Sequence, residues 1–223
     1  MKKLLYLIIL LSTISVVSQK QADYWYFGEN AGISFSSGTP EAVSNGKLFT
    51  DEGSASISDE NGNLLFYTDG SKVYNRNHQI MPNGEGLLGN TSSAQSAIIV
   101  PKPLDSNIYY IFTVGHQTSP HGIKLSEVDI RLNNGLGDLI NKNLSLETQT
   151  GEEVSVAKEK ITSIKGKECN TFWVITSNSN SFYSFKINKD GVIFEGVRSE
   201  HDGAEKTPDE PLEDLKGHLK ISP

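Results

Sequence analysis

Residues 53–77 read GSASISDENGNLLFYTDGSKVYNRN. Small residues at 54–58 form a first strand, Asp59-Glu60-Asn61-Gly62 a turn, and 63–68 an apolar second strand. Asp69-Gly70 turns again into a third strand at 71–75. Asn-Gly and Asp-Gly supply the positive φ that two-residue hairpin turns require. The arrangement recurs at 95–129, where SAIIV, PKPLDS, NIYYIFTV, a loop and IKLSEVD follow one another. It recurs again at 160–188 as ITSIK, GKEC, NTFWVITS, SNSN and SFYSFKIN. Each central strand begins at an asparagine (Asn63, Asn107, Asn170) and carries an aromatic core. Antiparallel strands repeating at about 40 to 60 residues are the signature of propeller blades. The sequence therefore predicts an all-β chain, a β-propeller of four-stranded antiparallel blades forming an incomplete ring of about four.

Outward from that stretch, the expected blades lie at about 24–49, 53–81, 95–147 and 158–200, with the start of another at 217–223. Strands are predicted at 24–28, 31–35 and 41–43, the second to fourth of a blade whose first strand is missing from this end. Such a strand, supplied from the far C-terminus, would close a ring and remove its open edges. Residues 1–18 combine Lys2-Lys3, an apolar run from Leu4 to Leu11 and small residues before Gln19. This is the pattern of a signal peptide, and it leaves 19–223 as the partial propeller. The apolar run is too short for a membrane span, so no stable span is expected after cleavage. Residues 198–217 are acidic, contain two prolines and are nearly devoid of apolar side chains, as in a solvated loop.

The 223 residues carry 27 acids and 20 bases, a net charge of −7. That argues against nucleic acid, which demands a basic footprint. With Cys169 as the sole cysteine, no intramolecular disulfide can form. No nucleophile elbow, zinc-helix motif, P-loop or paired-cysteine site is present. Gly84-Glu85-Gly86-Leu87-Leu88-Gly89 fits G-x-G-x-x-G in letters, but no βαβ unit follows, and the glycines read as turn residues. The calcium-like start at Asp59 has Leu64 at the sixth position and Gly70 at the twelfth, so a hairpin turn is expected. No cofactor is expected.

The histidines (His78, His116, His121, His201 and His218) lack ligand spacing, although His116 and His121 share one loop. Cys169 reads as a half-buried spectator. The aromatics from Tyr109 to Phe112 and from Phe172 to Phe185 read as packing between blades. In a propeller, loops joining second to third strands share a face with the connections between blades. That face would hold the candidate ligand site, Asp51, Glu52, His116, His121, Glu152 and Glu153, whose acids lack matching bases and would favour a cationic partner.

WYFGENAGISFSSG (25–38), SDENGNLLFYTDG (58–70), VYNRNHQIMPNGEGLLGN (73–90) and QSAIIVPKP (95–103) together resemble a known family. It is the N-terminal β-propeller region of large bacterial surface proteins bearing a gliding-motility-associated, type IX secretion sorting domain. The resemblance covers nearly the whole mature chain. It implies a secreted or outer-surface location in a Gram-negative-type bacterium, a binding or adhesion role, and no catalytic residues. It also implies that GHLKISP leads into missing downstream blades of the same protein. The expected partner is an extracellular protein or glycan. The competing expectation is a polysaccharide hydrolase or lyase with paired carboxylates at the ring mouth.

Overall fold

The computed structural model describes residues 20–116, 119–178, 180–200 and 218–221. The expected leader at 1–18 and the acidic stretch at 201–217, with His201, lie outside the described residues. Among the described residues the chain is all-β, with one 3-10 turn at Lys20–Ala22 and one helical turn at Leu132–Gly135.

Among the described residues four sheets, antiparallel apart from one short parallel pair in the last, follow one another along the chain, and none closes into a barrel. Sheet 1 contains β1 (Tyr24–Phe27), β2 (Ala31–Ser34) and β3 (Glu41–Val43). Sheet 2 contains β4 (Ala55–Ser58), β5 (Leu64–Thr68), β6 (Lys72–Asn75) and β7 (Ile80–Glu85). Sheet 3 contains β8 (Ala97–Pro101), β9 (Ile108–Val114), β10 (Ile123–Asp129) and β11 (Asp138–Ser145). Sheet 4 has the chain-order meander β13 (Ile161–Lys165), β14 (Phe172–Ser177), β15 (Ser181–Asn188) and β17 (Glu195–Glu200). Two short strands join it: β16 (Gly191–Val192) on β15, and β12 (Glu147–Thr148), which runs parallel to β17.

The first strands of successive sheets lie side by side, β1 against β4, β4 against β8 and β8 against β13. Sheets therefore meet face to face, and three apolar cores fill the seams. Tyr26, Leu48, Leu64, Tyr67 and Tyr74 join sheets 1 and 2. Phe66, Val73, Met81, Tyr109, Ile111 and Val128 join sheets 2 and 3. Tyr110, Phe112, Leu125, Val174, Phe185 and Ile187 join sheets 3 and 4. Strand β9 explains the arrangement from its sequence. All seven residues of IYYIFTV are buried. Ile108, Tyr110, Phe112 and Val114 face sheet 4, and Tyr109 and Ile111 face sheet 2. A strand covered on both faces is apolar without alternation.

The turns depart from the two-residue expectation. Gly62 and Gly70 have φ of +91° and +86°, but Asn61 and Asp69 are not left-handed. A type I′ turn demands two left-handed residues. Aspartate side chains organise these turns instead. Asp59 Oδ1 accepts from the Asn61 and Asn63 amides at 2.8 and 2.9 Å, and Oδ2 from Asn63 Nδ2 at 2.9 Å. Asp69 Oδ1 accepts from the Ser71 and Lys72 amides at 2.8 and 2.7 Å. The Asp59 carboxylate is thus committed to its turn, as the hairpin expectation requires. Its partial burial acts to raise the pKa, but the Asn63, Asn61 and Gly62 hydrogen bonds outweigh that and hold it below the usual range.

Three boundaries and one exposure differ from expectation. Strand β7 continues through Pro82 to Glu85, where a loop was expected; on an outer strand a proline removes no ladder bond from a further neighbour. Gly84 accordingly lies inside a strand. Glu147–Thr148 leaves sheet 3 and pairs in parallel with Glu195 and Gly196. Strand β17 carries order through Glu200, past the point where the acidic loop was expected to begin. Cys169 is exposed rather than half-buried.

Candidate functional site

The connections that were expected to share a face are joined by hydrogen bonds into one belt. Asn30 N donates to Leu48 O (2.9 Å), tying the β1–β2 loop to the connector after sheet 1. Asp51 N and Glu52 N both donate to Thr91 O at 3.1 Å, and Gly53 N donates to Ser93 O at 2.9 Å. Gly89 N donates to Gly70 O at 2.9 Å, bringing in the β5–β6 turn. Ala94 N donates to Glu159 Oε2 at 3.2 Å, and Gln95 N to the Glu159 carbonyl at 3.1 Å. Three connectors and two hairpin loops thus form a continuous rim at one end of the inner strands.

Glu159 is the residue that sequence reasoning missed. Its side chain has no exposed surface, and its Oε1 lies 3.5 Å from His116 Nε2. A carboxylate out of water is tolerated only where polar groups replace its solvent, and here the Ala94 amide and the His116 ring stand against it. In sequence it sits between Lys158 and Lys160, a context that suggests a solvated side chain. His116, the half-buried partner, was a candidate. His121 is exposed, and its amide donates to Ser119 Oγ at 3.3 Å.

The six candidates do not form one cluster. Asp51 and Glu52 extend, exposed, from the rim and enter no ion pair among the described residues. Glu153 binds Lys124 Nζ at 2.6 Å, and Ser145 Oγ donates to the same Glu153 oxygen at 2.6 Å. The Lys124 hydrogen bond, aided by Ser145, holds its carboxyl below the usual range. Glu152 lies 3.7 Å from Arg198 Nη1. Of the candidate acids, Asp51 and Glu52 therefore lack a matching base among the described residues, while Glu152 and Glu153 have bases of their own. Among the described residues, no three His, Cys, Asp or Glu side chains converge as a metal site.

Gln95 extends the rim toward the C-terminal segment. Its Oε1 accepts from Leu219 N at 2.7 Å and from Ile161 N at 3.3 Å. Residues 218–221 thus return to the inner end of β8 and β13, the position expected for a following first strand, although they form no strand themselves.

A concavity lies at the other end of the strands. It is an open cleft of about 1190 Å³ lined by the β4–β5, β8–β9 and β13–β14 turns, with Glu60, Lys102, Asp105, Lys165 and Lys167. Its mixed charge gives it no electrostatic preference, and it contains neither the rim acids nor Glu159. The rim, with its buried carboxylate and unmatched acids, is the better candidate for recognition.

A second unforeseen constellation binds sheets 1 and 2. His78 Nδ1 lies 3.0 Å from Tyr67 Oη, and His78 Nε2 lies 2.9 Å from Asn45 Nδ2. Tyr26 donates its hydroxyl to Asn45 Oδ1 at 3.0 Å and stacks on Tyr67 with centroids 4.4 Å apart. Burial, reinforced by the charge of Lys47, holds the imidazole pKa below its ordinary value. Burial likewise raises the Tyr67 phenol well above its ordinary value.

Fold and site together define an all-β protein of serially packed antiparallel meanders with a polar rim at the inner strand ends. Compared with known protein families, curated proteins and solved structures, the chain matches none. No described helix is long and apolar enough to cross a membrane.

Proposed function

We propose that this chain is an exported, non-catalytic β-propeller module of a bacterial outer surface, of the gliding-motility-associated kind. Its four sheets are blades of an incomplete ring, and it binds an extracellular protein or glycan through the rim. The observation that supports this is the continuous belt linking the connectors at 44–53, 86–96 and 149–160. Loops fixed to one another on a rigid scaffold present a preorganised surface, which lowers the ordering cost of recognition. Asp51 and Glu52 give that surface its unmatched negative charge and favour a basic partner.

The experiment measures calorimetric binding of poly-L-lysine to the mature chain and to two double variants. Asp51→Asn with Glu52→Gln should weaken binding about tenfold, equivalent to about 1.4 kcal/mol. Glu60→Gln with Asp190→Asn, at the opposite end, should leave it unchanged. Equal effects from both pairs would remove the rim as the recognition face. Export is tested in parallel by the mass of the N-terminus recovered outside the cytoplasm. A start near Gln19 is expected, and an intact Met1 there would sink it.

A further inference from the structure

Formal charge nearly balances in the cleft lined by the β4–β5, β8–β9 and β13–β14 turns, so the cleft exerts no long-range preference. At contact range its groups are unequal. Most of the carboxylates are spent on local bonds. Asp59 accepts from Asn61 and Asn63 within its own turn. Asp105 Oδ1 accepts from the Asn107 amide at 3.1 Å, and Glu168 binds Lys186 Nζ at 2.6 Å. Glu60 is left, among the described residues, as the lining carboxylate without such a bond. Of the cations, Arg131 is held by Asp129 at 2.6 Å. Arg76, Lys102, Lys165 and Lys167 enter no side-chain hydrogen bond or ion pair among the described residues.

A second observation lies in the same lining. Leu104, in the β8–β9 turn, is 74% exposed and left-handed at φ +64°. That backbone is strained for a branched apolar residue, and an apolar side chain left in water gains nothing in folding from the strain. The turn is nonetheless fixed: Lys102 N donates to Ile108 O at 2.9 Å, and Asp105 N to Lys102 O at 3.2 Å. Asn61, Ser106 and Asn170 add amide and hydroxyl groups to the lining, each able to donate and to accept.

We propose that this cleft binds an acidic polysaccharide, a chain of sugar rings bearing carboxylate or sulfate groups, at a site distinct from the rim. The free ammonium and guanidinium groups meet the anions through charge-assisted hydrogen bonds. The amides and the serine meet ring hydroxyls, and Leu104 packs on the apolar face of a ring. The cleft volume of about 1190 Å³ exceeds the roughly 300–1,000 Å³ of sites for single small molecules. Three sheets packed about 10 Å apart spread their turns over about 20 Å, which suits a polymer. An acidic peptide offers carboxylates on flexible stems but no hydroxyl-bearing ring for Leu104, Asn61 and Ser106. The net charge of −7 does not oppose this binding. The rim acids lie a strand's length away, and strands of five residues in β8 and seven in β9 measure about 17 to 23 Å. The Debye length at physiological salt is only about 8 Å.

Cys169, the sole cysteine, is exposed in the cleft lining and supplies the readout. Its rate of alkylation by iodoacetamide and the calorimetric affinity are measured with polygalacturonate, dextran sulfate, neutral dextran and poly-L-glutamate. An acidic polysaccharide should slow alkylation at least about fivefold and bind at least about tenfold more tightly, per charge, than poly-L-glutamate, with neutral dextran inert. Whether polygalacturonate or dextran sulfate does so identifies the anion as carboxylate or sulfate. Lys102→Gln with Lys165→Gln should weaken that binding at least about tenfold. Leu104→Gly relieves the left-handed strain and should weaken binding at least about threefold, while the thermal midpoint holds or rises. Lys189→Gln, at the same end of the strands but outside the cleft, should leave binding unchanged. Absence of protection by both acidic polysaccharides, or equal affinity for neutral dextran or poly-L-glutamate, would overturn the ligand class. Undiminished binding in the lysine pair or in Leu104→Gly, or an equal loss in Lys189→Gln, would overturn the cleft as the site.

Discussion

His78 Nδ1 stands 3.0 Å from the hydroxyl of Tyr67, fixing the turn between β6 and β7 to the seam between sheets 1 and 2. His78 itself is left-handed, with φ of +60°, so the turn and the ring are set together. Because burial lowers the imidazole pKa, the unfolded chain takes up this proton more readily than the folded one. The contribution of His78 to stability is complete above the ordinary histidine value of 6.5. It declines as pH falls from there toward the lowered folded value, by at most about 1.4 kcal/mol per pH unit. Urea midpoints at pH 8, 6.5 and 5.5 should fall across the last interval. His78→Asn tolerates the left-handed backbone and should remove that fall. A decline of the same size in the variant would assign it to other groups.

Tyr67→Phe isolates the polar part of the same seam. The ring remains to stack on Tyr26 and Tyr74. The Lys47 amide, 3.2 Å from the Tyr67 hydroxyl, loses its acceptor, and His78 loses a partner. Leaving such groups unsatisfied costs about 1–3 kcal/mol, measurable by chemical unfolding. A cost below about 0.5 kcal/mol would show that water replaces the hydroxyl.

Strands β10, β13 and β15 have the bounds the sequence suggests, because alternating or continuous apolar runs end at clear turn residues. The asparagines ahead of the central strands were visible too, and two act as hydrogen-bonding partners of Asp59 and Asp105. What escaped depends on distant pairing. Nothing in Glu147-Thr148 announces a strand whose partner is Glu195-Gly196. Glu159 is buried by the Ala94 amide and His116, 65 residues before it for Ala94. His78 lies in a polar turn, and its partner Asn45 is 33 residues away. The rim was legible as a set of loops, but the pairing of Glu152 and Glu153 with Arg198 and Lys124 was not.

Glycines on the rim separate conformational from steric demands. Gly28 is left-handed at φ +55°, with open space where a side chain would point. Gly28→Ala should cost only the left-handed penalty of about 1–2 kcal/mol. A Cβ on Gly53 would meet the backbone of Ser93 and Ser96, and one on Gly89 the backbone of Gly70. Those two substitutions must separate connectors that are hydrogen-bonded, so each should cost more than Gly28→Ala. Thermal midpoints of the three variants give the order directly, and an equal loss in all three would refute the steric account.

Lys124 and Glu153 should behave as a coupled pair. The Lys124 side chain is only 9% exposed, and its ammonium binds Glu153 and Ser145. Glu153→Gln leaves that ammonium in place with a weaker partner, at a cost of about 1–3 kcal/mol. Lys124→Met together with Glu153→Gln removes the buried charge and should cost less than the sum of the single changes. Additive losses in the double-mutant cycle would mean that the two side chains act independently.

Glu159 and His116 test whether the rim is built from the inside. Glu159→Leu strands the Ala94 amide, which donates to Oε2 at 3.2 Å, and should cost about 1–3 kcal/mol. Glu159→Gln keeps an acceptor oxygen and should cost less. His116 approaches the carboxylate from the half-exposed side, with 35% of its side chain accessible, so His116→Ala should cost less than Glu159→Leu. Amide hydrogen exchange at Ala94 supplies the local readout. It should stay slow in wild type, Glu159→Gln and His116→Ala, and become fast in Glu159→Leu. Slow exchange in Glu159→Leu would show that the connector between sheets 2 and 3 is held without the carboxylate.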